Sequence, residues 1–348
     1  MPRELTAGVW LAVAALAVTA CGSTGTTTST LDGTSTLQPV ATTTSSTVTT
    51  TSTPTATPVP GPPHLSDGWF IESGEILVTG ASGLTAYDPD TGDTRAIATT
   101  SVARVYTDGE AGLVLQDTAP EDGELILLSG ASSAEIWYYP VASDDPALVH
   151  SPSLGSKSEL YGVVDFGEGP GALIRLHAYQ NDDLWVIQPL DGSAWREIGF
   201  LSGGEDVASC AVWAGSNFLL SSNAHASFIS RRSVDGVWSA FLPAEEEGWE
   251  FATSCVALGA DGRAVVLLQR WDESGDHPPA ELITADLDGM VLDAVAIDDR
   301  VQEAVFLDAA NDGSVVVATV AGDLFLIDSS TGAATLLPLQ GHRAVFVP

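Results

Sequence analysis

Val315-Val316-Val317 is apolar at every position, and so are Ile76-Leu77-Val78 and Val265-Val266-Leu267-Leu268. A strand with one face in water alternates apolar and polar residues, because successive side chains point to opposite faces. These runs have no polar face, so a sheet built from them must be covered on both sides. Helices could provide that cover, but no stretch of ten or more residues carries a sustained 3.6-residue apolar stripe with caps. The cover must be other sheets. The fold class expected is all-β, as a sandwich or a propeller.

Spacing chooses between the two. The valines sit in GSVVVATVAGDLFLIDSSTG at 313–332, an apolar strand, a turn, a second strand and a second turn. Residues 74–92, GEILVTGASGLTAYDPDTG, repeat the phrase with one residue fewer. Between these copies, short apolar runs alternate with Asp-Gly, Gly-Gly and Asp-Asp turns. One recurring unit begins near Val163, Cys210, Cys255 and Val305, at intervals of about 45 to 50 residues, the length of one four-stranded blade. Ala344-Val345-Phe346-Val347 echoes Ala304-Val305-Phe306-Leu307, but the chain stops before the rest of a blade. Its missing partners are expected among the strands at 69–88, so that the N- and C-terminal strands pair and close a ring with no exposed seam. A single β-propeller of six blades fits the length best, and the looser stretch from 101 to 155 leaves room for a seventh.

TyrAspProAspThrGly at 87–92, IleAspSerSerThrGly at 327–332 and the Asp-Gly-x-x-Val phrases resemble repeats of bacterial β-propellers of the WD40-like, TolB-like and quinoprotein-like superfamily. The resemblance covers about 285 residues and implies a fold that binds at the ends of its ring and in its central channel. The repeats lack a Trp-Asp ending, a Ser-Pro-Asp-Gly signature and a Trp after Thr-Gly. With that last Trp goes the resemblance's case for a quinone cofactor.

The first 63 residues have another character. Gly8 to Ala20, GVWLAVAALAVTA, is too short to remain as a membrane-spanning helix and suits a secretory signal. It ends in Val18-Thr19-Ala20-Cys21, which resembles the bacterial lipobox and implies a signal peptide over 1–20 with diacylation of Cys21. Ordinary cleavage after Ala20 would leave Cys21 a free thiol. Residues 21–63 are rich in Thr, Ser and Pro, with Asp32 the sole charge, which suits an unstructured tether reaching about 100 Å when stretched. The expected protein is therefore lipid-anchored on the extracytoplasmic side of the cell membrane, its propeller spanning 64–348.

The chain carries 46 acidic and 12 basic residues, for a formal charge of −34. Nucleic-acid binding, which needs a basic stripe, is excluded as an expectation, and so is electrostatic attraction to anionic lipid. With Cys21 set aside, Cys210 and Cys255 remain, in the matching phrases ValAlaSerCysAlaValTrp at 207–213 and AlaThrSerCysValAlaLeu at 252–258. Adjacent repeats would place them at neighbouring positions, where a disulfide suits an oxidising compartment. Strands too far apart would leave two buried thiols instead.

Catalytic signals are sparse. No Gly-x-Ser-x-Gly occurs, and Gly80-Ala81-Ser82-Gly83 has the composition of a turn. The six His residues show no metal-ligand spacing, and His177 sits in an apolar run as a core histidine would. Asp88, Asp90 and Asp93 share one tight loop of the kind calcium uses, though the loop lacks a later Glu and Pro89 suits a plain type I turn. Asn311-Asp312-Gly313 resembles, loosely, the ion-binding loops of six-bladed lactonases. Trp137-Tyr138-Tyr139 must turn at least one ring outward, and Trp195, Trp238, Trp249 and Trp271 lie beside turns, either packing between blades or lining a rim. The function expected is non-catalytic binding of a protein, peptide or glycan. A calcium-dependent hydrolase or lactonase and a structural scaffold in an envelope assembly are the alternatives.

Overall fold

The computed structural model describes residues 62–348 except 81, 101, 111, 118–134, 142–144, 152–156, 178–181, 203–209, 215–216, 222–228, 233–237, 243–250, 260, 272–278, 302–303 and 311. The expected signal peptide, Cys21 and nearly all of the tether lie outside the described residues. Among the described residues every regular element is a strand and none is a helix.

The strands form six four-stranded antiparallel sheets in a propeller-like arrangement. The first sheet holds β1 (Ile76–Gly80), β2 (Gly83–Tyr87) and β3 (Thr94–Ala98). The stretch expected to be loose contains one sheet, β4 (Val102–Thr107), β5 (Leu113–Asp117), β6 (Ile136–Tyr139) and β7 (Ala147–His150). Next come β8 (Lys157–Asp165), β9 (Pro170–His177), β10 (Asp182–Pro189) and β11 (Arg196–Ser202). The fourth sheet has β12 (Ala211–Ala214), β13 (Asn217–Ser221), β14 (Ile229–Arg232) and β15 (Trp238–Ala240). The fifth has β16 (Phe251–Leu258), β17 (Ala264–Trp271), β18 (Glu281–Ala285) and β19 (Val291–Ala296). The sixth has β20 (Ala304–Ala309), β21 (Ser314–Thr319), β22 (Asp323–Asp328) and β23 (Ala334–Gln340). The last strand, β24 (Arg343–Phe346), leaves the sixth sheet and pairs antiparallel with β1, Val345 opposite Leu77 and Ala344 opposite Val78.

The mutual cover required by two-faced strands is visible in the third sheet. On one face Leu160, Ile174 and Val186 pack with Val114, Ile136 and Val149 of the second sheet. On the other, Leu173, Trp185 and Ile187 pack with Ala211, Phe218 and Leu220 of the fourth. Trp185 meets Tyr161 and Phe218 with ring centroids 4.8 and 5.0 Å apart, so aromatic contacts add to the area buried between sheets. Val315, Val316 and Val317 are all buried within the largest core cluster.

Candidate functional site

The first strand of each sheet after the first, together with β24, contributes to one cavity of about 1190 Å³. Its wall takes Tyr106 and Thr107 from β4, Tyr161 to Asp165 from β8, Ala211 to Ala214 from β12, Leu258 from β16, Asp308 and Ala309 from β20, and Val345 and Phe346 from β24. On β4, β8, β16, β20 and β24 these are residues at the C-terminal end, so the cavity opens at one end of the strand set. A wide cavity that combines convergent rings with the acidic residues Asp90, Asp108, Glu110, Asp165, Asp308 and Asp312 has the build of a recognition site.

Two carboxylates organise the mouth. Asp108 takes the Glu110 and Gly112 amides on Oδ1, both at 2.8 Å, which closes the loop after β4. Its Oδ2 accepts the Tyr138 hydroxyl at 2.7 Å and fixes that ring against the cavity. Partial burial, then the bond to Asp108, pushes Tyr138 up to about 12. Asp308 accepts the Phe346 amide at 2.8 Å, so the sixth sheet holds the free edge of β24. Burial pushes the Asp308 carboxyl up to about 7, because an ion there loses its hydration. Trp213, another lining residue, has a buried Nε1 donor with no acceptor among the described residues.

Beside two of the lining tyrosines, Tyr106 and Tyr161, lies a charged group. Arg104 donates to the Leu160 carbonyl at 2.8 Å, stands over the Tyr161 ring at 4.6 Å and lies 3.5 Å from Glu159. Arg175 is also 3.5 Å from Glu159, whose carboxylate accepts the Tyr161 hydroxyl at 2.9 Å. Arg343 donates to the Tyr106 hydroxyl at 3.4 Å and stands over Phe306 at 5.0 Å.

No motif in the sequence marks these residues, although the chain carries a signal for them. Each second strand carries three apolar residues and then one polar: Ile76-Leu77-Val78-Thr79, Leu113-Val114-Leu115-Gln116, Ala172-Leu173-Ile174-Arg175, Phe218-Leu219-Leu220-Ser221, Val266-Leu267-Leu268-Gln269 and Val316-Val317-Ala318-Thr319. The polar residue is where a sheet can reach its neighbour's backbone. Gln116 takes the Leu160 amide at 2.9 Å and donates to the Ser158 carbonyl at 2.6 Å. Gln269 repeats this at the sixth sheet, on the Ala304 amide at 3.1 Å and the Val301 carbonyl at 3.5 Å. Ser221 stays within its own sheet, on the Cys210 amide and carbonyl. A second signal was the arginine itself: with so few basic residues, Arg104, Arg175 and Arg343 inside or at the start of apolar strands stand out.

Cys210 and Cys255 form a disulfide with Cα atoms 5.1 Å apart, so neighbouring first strands do approach closely enough to be bridged. Asp88 accepts the Asp90 amide at 2.8 Å and the Thr91 hydroxyl at 2.8 Å, and these bonds, the hydroxyl first, hold it below its ordinary range. Its oxygens thus close the turn that carries Asp90 and Asp93. The same side-chain bond to the amide two residues on recurs at Asp165, Asp191, Asp261, Asp286, Asp312 and Asp328. These seven aspartates are therefore spent in turns. Among the described residues no three His, Cys, Asp or Glu side chains form a group that could hold a metal ion. Asn311 and Trp249 lie outside the described residues. His177 is exposed at the end of β9 rather than in the core, because the apolar run stops at Leu176. Trp195 is exposed, while Tyr139 is buried, edge-on to Trp69 at 6.4 Å and bonded through its hydroxyl to the Pro63 carbonyl.

No family model matches the sequence, and no curated protein matches it. Solved structures similar to this chain include one from a study of two prolyl endopeptidases, with a TM-score of 0.46 and 14% identity over 77% of this chain and 40% of that one. A puromycin-hydrolysing peptidase of Mycobacterium tuberculosis gives 0.46 and 16% over 76% and 44%. A chain of the mitotic checkpoint complex gives 0.39 and 10% over 70% and 65%. The chain spans less than two thirds of the length of each.

Proposed function

We propose that this chain is a six-bladed propeller closed by β24, held at the extracytoplasmic face of a membrane through Cys21, that binds a protein, peptide or glycan at its cavity mouth without catalysis. The cavity carries this reading: all six innermost strands line it, and Tyr106, Tyr138, Tyr161, Trp213 and Phe346 bring rings to it. Aromatic side chains offer large contact area at little conformational cost, and the hydroxyls of tyrosine and the N–H of Trp213 give direction. Pairing of β24 with β1 supports closure, since it gives the first sheet the inner strand its own segment lacks.

Binding is tested by titrating the full chain with cell-surface glycans and peptides and repeating the titration with Trp213→Ala and Tyr138→Ala. Both should lose the interaction, while Val320→Ser, an exposed change at the β21–β22 turn, should keep it. Equal binding by all variants would move the site elsewhere. For the anchor, Cys21→Ala should release the protein from membranes, and unchanged retention would rule lipidation out.

A further inference from the structure

In a chain with formal charge −34, three of the 12 basic residues, on β24, β4 and β9, gather behind the cavity-lining Tyr106 and Tyr161. One carboxylate serves two of them: Glu159 lies 3.5 Å from both Arg104 and Arg175. Among the described residues none forms an ion pair with the third, although the charge of Glu159 also acts on it. Arg343 has five N–H donors, and among the described residues its contacts are one long bond to the Tyr106 hydroxyl and the face of Phe306. Asp308, in whose field Tyr106 also lies, is already held by the Phe346 amide. Burial, and after it the charge of Arg104, lowers Arg343 from its ordinary value, so the two guanidiniums repel across the site. A buried cation beside a second cation is costly until an anion joins them.

We propose that Arg343, with Arg104 and the Tyr106 hydroxyl, forms a subsite for an oxyanion, a carboxylate or phosphate group borne by the ligand that enters the cavity. This deepens the binding function above and rests on it for the origin of the ligand. The fork of an arginine matches either group, and a charged bond made in a desolvated wall is stronger than one in water. The lining itself carries Asp90, Asp108, Glu110, Asp165, Asp308 and Asp312, so an anion enters against their field, which physiological salt screens over about 8 Å.

The test is thermal melting and calorimetric titration of the full chain with inorganic phosphate and, separately, acetate, at constant ionic strength against chloride. Wild type should show a saturable rise in melting temperature with at least one of the two, the responding probe telling phosphate from carboxylate. Arg343→Gln should weaken that binding by about tenfold or more. It leaves no carboxylate unpaired, so it should fold. Arg343→Lys, which keeps the charge and loses the fork, should fall between. Responses equal in all three proteins, or no saturable response in wild type, would overturn the subsite. An oxyanion response without any ligand at the mouth would sink the binding function and leave the subsite standing.

Discussion

The first and last sheets contain the same phrase, at 74–92 and 313–332, yet they are assembled differently. In the last, β21 pairs with β20, which precedes it along the chain. In the first, β1 pairs with β24, brought from the far end. Even the glycines exchange roles. Gly83 and Gly322, at the first turn, both have positive φ, 114° and 84°. A Cβ on Gly83 would stand 2.1 Å from the Ala98 carbonyl oxygen, whereas on Gly322 the nearest atom would be 3.7 Å away. At the second turn the order reverses: Gly92 has open space, and Gly332 faces the Ala296 carbonyl oxygen at 2.1 Å. Similar local text makes a similar hairpin, while its neighbours decide which residue has no substitute.

The largest expected effect comes from removing what only the first sheet needs. Deleting residues 343–348 should lower the melting temperature by more than about 10 °C and promote association, since β1 becomes a bare apolar edge. A truncated protein that melts like wild type would mean that the first sheet does not depend on its distant strand. A covalent fastening elsewhere gives the scale. Cys210→Ala with Cys255→Ala should cost about 4 kcal/mol by the chain-entropy account, read from urea unfolding. Stability unaffected by reductant in the wild type would count against it.

The glycines sharpen the comparison further. Gly83→Ala and Gly332→Ala should each cost about 3 kcal/mol, because strained φ adds to overlap with a carbonyl. Gly92→Ala and Gly322→Ala should cost about 1 kcal/mol, for φ alone. Equal costs within each pair would show that the turns relax independently of the neighbouring chain.

The smallest effect concerns the grip of the last sheet on β24. An unfolded Asp308 titrates near 3.8 and the folded one near 7, so the folded state holds the extra proton between those values. Its stabilisation is complete below about pH 4 and lost as pH rises through 7. Asp308→Asn should flatten the melting profile between pH 5 and 8 and raise stability at the alkaline end. An unchanged profile would assign the titration to another group.

Much of the architecture was legible in the chain. Strands apolar on both faces, with no helix to cover them, require sheets against sheets, and the third sheet, packed on each side by a neighbour, meets that requirement. The spacing of Val163, Cys210, Cys255 and Val305 marked four of the first strands, and the paired cysteine phrases marked a bridge that forms. The aromatic run on β6 divided as alternation requires, Tyr139 inward and Tyr138 to the cavity.

The cavity's chemistry was not legible in this way. Periodicity and turn chemistry are local quantities, fixed by neighbours within a few residues, and so hairpins and two-sided burial can be read along the chain. Arg104, Glu159, Tyr106, Asp308 and Arg343 come from four strands spread over more than two thirds of the folded part, and no local pattern states that they meet. Whether a carboxylate is spent in a turn, as at Asp88, or desolvated in a wall, as at Asp308, depends on what other strands bring to it. The sequence determines that the sheets must hide one another; their packing alone decides which charges are left facing the space between them.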